Sequence, residues 1–173
     1  MNSERIKARF GSYYVQVLHQ DTATRLASLC SRHEDSDICR TLAVTRFASP
    51  IPPTLAEADA LIRRGDSIGS TLEQAGQHLY REIIAEASVP CGDAFPKLTG
   101  QTVRRGDLLS VRIYRLDAGP NPPALLPYAT IAEAHHPEHI PASTEAAIVT
   151  ELGTGSWSAD AQLALEALLT ALQ

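Results

Sequence analysis

Long apolar runs are missing from this chain of 173 residues. None approaches the ~20 residues that a membrane-spanning helix needs. The opening, Met1-Asn2-Ser3-Glu4-Arg5-Ile6-Lys7, also lacks the apolar core of a secretory leader, so a cytoplasmic location is the expectation. An excess of basic charge is missing too. Fifteen Lys and Arg stand against twenty Asp and Glu, a net charge of −5, which gives no electrostatic footprint for nucleic acid. Cysteine is scarce. Cys30, Cys39 and Cys91 are odd in number and show no CxxC spacing, which argues against a disulfide framework or a zinc site. Cys30 and Cys39 sit in apolar runs and read as small buried hydrophobes. Nucleotide and hydrolase signatures are likewise wanting. Gly153-Thr154-Gly155-Ser156 is followed by no Lys-Ser/Thr pair, and no G-x-S-x-G occurs. The chain is therefore expected to work without cofactor or metal.

What is present is an ordinary globular composition, 44% hydrophobic and 20% charged, enough for one domain with its own core. Ser3–Arg9 can open with a short helix. Tyr13–Leu18 is aromatic and β-branched and reads as a strand. Arg25–Ser31 and Ile38–Phe47 read as a hairpin joined by a longer polar loop, His33–Asp37. Pro50-Ile51-Pro52-Pro53 breaks the sheet. Thr54 with Glu57 has the spacing of a capping box, and Leu55, Ala58, Leu61 and Ile62 repeat at helical intervals. A second short helix, Thr71–Ala75, is expected to stop at Gly76. Leu79–Val89, Leu108–Leu116 and Leu125–Ala134 read as strands, and Pro90–Arg105 as a surface loop. After Pro141 the composition shifts to small residues, ahead of an amphipathic helix carrying Leu163, Leu165, Leu168, Leu169 and Leu172. The expected division is a domain over 1–141 with a C-terminal extension over 142–173. Strands cluster rather than alternate with helices, so the class is α+β on an antiparallel sheet of five or six strands.

Several side chains in these strands are out of keeping with their surroundings. Arg25 and Arg40 interrupt apolar strand segments, and Arg81 and Arg112 do so in later ones. An arginine in a half-buried strand is costly unless an anion or an acid pairs with it, although period-two alternation also allows each to face solvent. Glu133, between Ala132 and Ala134, is the complementary oddity. An Arg and a Glu meeting across a sheet would suit a small molecule with a carboxylate at one end and a hydroxyl at the other. His135-His136-Pro137-Glu138-His139 is a polar strand exit rather than a metal site, because Pro137 prevents a regular helix through it. His78 has no partner marked in the sequence.

The residues resemble the chorismate lyases, which convert chorismate to 4-hydroxybenzoate and pyruvate. The resemblance runs in order through Val15-Gln16-Val17, Arg25-Leu26, Cys39-Arg40-Thr41-Leu42-Ala43-Val44, Asp66-Ser67-Ile68-Gly69-Ser70-Thr71-Leu72, Tyr80-Arg81-Glu82-Ile83-Ile84, Arg112-Ile113-Tyr114-Arg115 and Glu133-Ala134-His135-His136-Pro137. It covers about residues 5 to 140 and leaves Pro90–Arg105 and the tail with Trp157 unmatched. It implies a six-stranded antiparallel sheet with helices, shared with ligand-binding domains of bacterial regulators. It also implies a catalytic pair, Arg25 and Glu133, and a substrate site of Arg25, Arg40, Ile68, Gly69 and Glu133. Arg25 would grip the ring carboxylate, Ile68 and Gly69 would pack on the ring, and Glu133 would stand at the 4-hydroxyl, orienting it or moving a proton. The implied reaction is cofactor-free, with loss of the C4 hydrogen and departure of the enolpyruvyl group, serving ubiquinone or secondary-metabolite synthesis. Two other readings remain. One is a non-catalytic sensor of a small aromatic acid, against which stands the short segment, Met1–Ser12, before the first strand. The other is an interaction module using the leucine-rich terminal helix.

Overall fold

The computed structural model describes residues 2–143 and 158–173. The Gly153–Ser156 motif and Trp157 lie outside the described residues. The described elements are α1 (Asn2–Phe10), β1 (Tyr14–Gln20), β2 (Thr24–His33), β3 (Ser36–Phe47), a 3₁₀ turn (Pro53–Leu55), α2 (Ala56–Arg63), α3 (Ile68–Gln74), β4 (His78–Pro90), α4 (Phe95–Leu98), β5 (Leu108–Gly119), β6 (Leu126–His135) and α5 (Ala159–Leu172). The fold is α+β. Its six strands form one antiparallel sheet in the order β1-β2-β3-β6-β5-β4. Two three-stranded meanders, β1–β3 and β4–β6, thus meet along one seam between β3 and β6.

Alternation along the strands divides the sheet into two faces. Leu42, Val44, Val111, Ile113, Ala132 and Ala134 point to one face, where Ala161, Ala164, Leu165, Leu168 and Leu172 of α5 cover them. Ser158 caps α5 by accepting from the Ala161 amide at 3.3 Å. Ala43, Leu116 and Ile131 point to the other face, where they meet Leu55, Ala58 and Ile62 around α2 and Leu72 of α3. α1 approaches this second face as well, with Asn2 reaching Thr41 and Glu133.

Four local details differ from the sequence expectation. The β2–β3 connection is tight, not a longer loop. His33 pairs with Ser36, Glu34 takes a positive φ of 52°, and Arg32 meets Asp37 at 3.2 Å. The polar residues continue the ladder because both strands are exposed at this tip. Thr54 caps nothing, since the prolines before it wind the chain into a 3₁₀ turn and α2 starts at Ala56 without a side-chain cap. Helix α3 begins earlier than expected, at Ile68. Its end is as expected: Gly76 has φ +74°, its amide bonds Glu73 O at 2.9 Å and that of Gln77 bonds Leu72 O at 3.0 Å, a Schellman ending. Finally, residues 90–105 are not a surface loop. Cys91, Phe95 and Val103 are buried in the α5 core, and Gly92 lies so close to the Leu172 carbonyl that a Cβ would collide with it. Apolar residues this sparse among Gly and Pro leave no periodicity to read.

All three thiols are free and buried, and Cys30 pairs directly with Cys39 across β2 and β3. Burial pushes the Cys39 thiol up to about 12. No described helix is long and apolar enough to cross a membrane.

Candidate functional site

The face of the sheet opposite α5 is not filled completely. Ala27 of β2 and Ala43 of β3 are too short to reach the helices above them, and a cavity of about 560 Å³, including its solvent-open mouth, lies over them. Val15, Leu29, Ile68, Leu116 and Ile131 give it apolar walls, and Gly69 lies at the first turn of α3. Arg25 and Glu133 both line it. The register sets their relation. Arg25 pairs with Thr45, and Ala43, two residues back on the same strand, pairs with Glu133. Two strand spacings and one two-residue step put their Cα atoms roughly 12 Å apart.

Arg25 is 2% exposed, and most of its guanidinium is already engaged. Nη1 donates to Ile62 O at 3.0 Å and Asp66 O at 2.8 Å, and Nη2 donates to Gly65 O at 3.2 Å. These carbonyls belong to the end of α2 and the turn after it, where backbone acceptors lack helical partners. Arg25 therefore fastens the α2–α3 connection over the cavity. Its Nε is buried and has no partner. Burial lowers the guanidinium from its ordinary value. Nearby, the hydroxyls of Tyr13 and Ser67 share a hydrogen bond of 3.1 Å, and both residues line the cavity.

At the other end, Glu133 accepts from Tyr114 Oη at 3.2 Å and from Asn2 Nδ2 at 3.4 Å. Burial raises its carboxyl above the usual range; the bonds from Tyr114 and Asn2, and the charges of Arg81 and Arg112, pull the other way. Burial likewise raises the Tyr114 phenol well above its ordinary value. Arg81 reaches over the Tyr114 ring, 5.9 Å from its centre, at the cavity mouth. The chemistry is that of an apolar slot with a buried N–H donor at one end and, at the other, a buried carboxyl that burial pushes above its usual range.

The structure thus brings together Arg25, Ile68, Gly69 and Glu133 from the expected set, and leaves Arg40 out. Arg40 is on the paired strand, as expected, but does not line the cavity. Its Nε donates to Ser31 Oγ at 2.8 Å, its Nη1 meets Glu138 at 2.7 Å, and its guanidinium covers the Phe10 ring at 3.8 Å. The register shift between Leu29 and Cys30 leaves Arg40 as the extra residue of β3, between Cys39 and Thr41, with its guanidinium against Phe10 of α1. Arg112 is held by Glu86 at 2.6 Å, and His78 is exposed. The histidine-rich exit is buried rather than solvated. His135, His136 and His139 are each under a tenth exposed, and Thr41, Thr102 and Asn2 bond their rings.

Sequence reading missed Asn2, Tyr13, Ser67 and Tyr114. Tyr114 had a signal, since it shares strand parity with Arg112 and Leu116. Asn2 had none, because a polar residue in a polar terminal helix is ordinary.

No protein-family model matches the chain, and no curated protein does. Among solved structures, a GntR-family transcriptional regulator from Enterococcus faecalis V583 is 12% identical, with a TM-score of 0.38 over 74% of this chain and 91% of that one. The C-terminal domain of Yurk from Bacillus subtilis subsp. subtilis str. 168 is 14% identical, with a TM-score of 0.35 over 86% of this chain and 89% of the other.

Proposed function

We propose that the cavity binds a small single-ring carboxylic acid carrying a hydroxyl, such as 4-hydroxybenzoate, and that the chain is a binding domain for it. The observation that carries this reading is the unpartnered, buried Nε of Arg25 in a cavity whose far end holds the buried carboxyl of Glu133. A ligand carboxylate would take the Arg25 Nε–H and the Tyr13 or Ser67 hydroxyl. The ring would lie on Ala27 and Ala43 beneath Ile68, and the ligand hydroxyl would meet Glu133. The Glu133 carboxyl can bond a hydroxyl in either protonation state, accepting from it as a carboxylate.

The second reading is the lyase that the sequence resembles, converting chorismate to 4-hydroxybenzoate and pyruvate. The positions of Arg25, Ile68, Gly69 and Glu133 around one cavity favour it. It ranks second because chorismate carries two carboxylates. The Arg25 fork is spent on three backbone carbonyls, which leaves the exposed Arg81 for the second carboxylate.

Calorimetric titration with 4-hydroxybenzoate tests the binding reading, with saturable micromolar to millimolar binding expected. Incubation with chorismate, followed by chromatography for 4-hydroxybenzoate and pyruvate, separates the two. Product formation would move the assignment to the lyase. Neither binding nor turnover would sink both.

A further inference from the structure

A second cavity adjoins the first behind Glu133. It is lined by Arg5, Arg112 and His135, and it shares Asn2, Arg81, Tyr114 and Glu133 with its neighbour. Including its mouth it encloses about 660 Å³. Three guanidinium groups from α1, β4 and β5 therefore converge on one hollow. Among the described residues neither Arg5 nor Arg81 makes an ion pair, and Arg112 spends its Nε and Nη2 on Glu86 at 2.7 and 2.6 Å. With Arg112 answered by Glu86, Arg5 and Arg81 stand at a hollow whose lining carries one carboxyl, Glu133, a balance that favours an anion.

The floor of the hollow supplies an independent sign of a ligand. His135 is 1% exposed, and its Nε2 is buried without a hydrogen-bond partner. A relay bears on what that nitrogen offers. Asn2 Nδ2 donates to Thr41 Oγ1 at 3.2 Å, and Thr41 Oγ1 lies 3.0 Å from His135 Nδ1. A Thr41 hydroxyl that gives its proton to Nδ1 would leave the ring proton on Nε2. Nε2 lies 3.8 Å from Glu133 Oε2, too far for a direct bond, so its bonding capacity is unspent. Burial holds the His135 ring neutral and raises the Glu133 carboxyl, so the nearest acid opposes an anion less than an ordinary carboxylate would.

We infer that this second cavity is a binding site for a small dianionic oxyanion, a phosphate or a dicarboxylate, held by Arg5, Arg81, Arg112 and the Nε2–H of His135. Guanidinium forks match the paired oxygens of both classes, and a neutral N–H donor complements them without adding charge. The site is distinct from the ring-acid cavity: Arg5, Arg112 and His135 line it alone, while Arg81 stands between the two.

The test is calorimetric titration at low ionic strength with inorganic phosphate and, separately, malonate, on wild type, Arg5→Gln and Arg112→Gln. Saturable one-site binding of at least one anion is expected, weakened about tenfold in each variant as one charged contact is lost. Phosphate alone would assign the site to tetrahedral phosphoryl groups, and malonate alone to dicarboxylates. Arg5 is exposed on α1 and outside the first cavity, so Arg5→Gln should stay folded and leave 4-hydroxybenzoate affinity within about twofold of wild type. Failure of both anions to bind wild type, or equal anion affinity in wild type and Arg5→Gln, would overturn the inference.

Discussion

Arg25 and Glu133 project from the same face of the sheet with β3 between them, so that Ala43 and Thr45 form the floor that separates a guanidinium from a carboxyl. Neither charged group touches the other. Each is held by its own neighbours, Arg25 by the end of α2 and Glu133 by Tyr114 and Asn2.

Arg25 consequently has a structural duty as well as a place in the cavity. Arg25→Ala should strip three carbonyls of their donor, and a buried acceptor left unmade costs roughly 1–3 kcal/mol. The expected loss is about 3 kcal/mol in urea unfolding, with binding of 4-hydroxybenzoate abolished. Arg25→Lys should recover part of the stability but little of the binding, because an ammonium cannot serve three carbonyls and a ligand at once. An Arg25→Ala variant as stable as wild type would show that the clamp on α2 contributes nothing.

Ala43 offers a cleaner way to close the cavity. Ala43→Leu places a branched side chain beside Glu133 and between it and Arg25, while leaving both charged residues in place. The fold should survive, since overpacking costs about 1–3 kcal/mol. Ring-acid binding should be lost in calorimetry, while anion binding by the second cavity, which Ala43 does not line, should persist.

The pH dependence of stability should carry two opposed contributions. His135 is pushed down to about 3, and His136 and His139 to about 4, from 6.5. The unfolded chain then binds protons that the folded one refuses, and stability falls as pH drops below 6.5, by about 1.4 kcal/mol per unit for each histidine. Glu133 acts in the opposite sense. Its folded carboxyl is raised, so the folded state holds its proton longer, and stability falls as pH rises from the ordinary carboxyl range through the raised value. Unfolding free energies measured from pH 4 to 7 should slope upward overall. Glu133→Gln should steepen that slope and His135→Gln should flatten it. Unchanged slopes in both variants would contradict the burial argument.

Gly92 holds the C-terminus. A Cβ there would run into the Leu172 carbonyl, beside the bond from the Asp93 amide to Gln173 O at 3.0 Å. Gly92→Ala should loosen the end of α5 and cost about 1–3 kcal/mol. Amide exchange should speed up first in the last turn of α5 and leave β2 and β6 protected.

The sheet was legible in the sequence because its strands are long, β-branched and alternate cleanly; Leu42-Ala43-Val44-Thr45 and Ile131-Ala132-Glu133-Ala134 each write both faces in four letters. The two polar intruders Arg25 and Glu133 were legible for the same reason. What Arg25 does with its guanidinium was not, since its partners are backbone carbonyls about forty positions away, which leave no mark on side-chain chemistry. The same non-locality hid Asn2. Arg40 looked equivalent to Arg25 in sequence, but it lies five positions from Thr45, the partner of Arg25, so strand alternation denies it the face of Arg25, and the bulge between Leu29 and Cys30 sets it against Phe10 instead. The segment 90–105 misled through composition: Gly and Pro usually mark exposed turns, yet here they let Phe95 and Val103 reach the core.

The seam between β3 and β6 joins meanders whose other pairings link chain neighbours. Arg25 belongs to the first meander, and Glu133, Tyr114 and Arg81 to the second, so the first cavity exists only once the halves have zipped together. Closing that seam brings together residues about ninety positions apart, a slow kind of contact to form. Ligand capture during refolding would then act as a clock for this one event, silent while the hairpins form and signalling only when the sheet becomes whole.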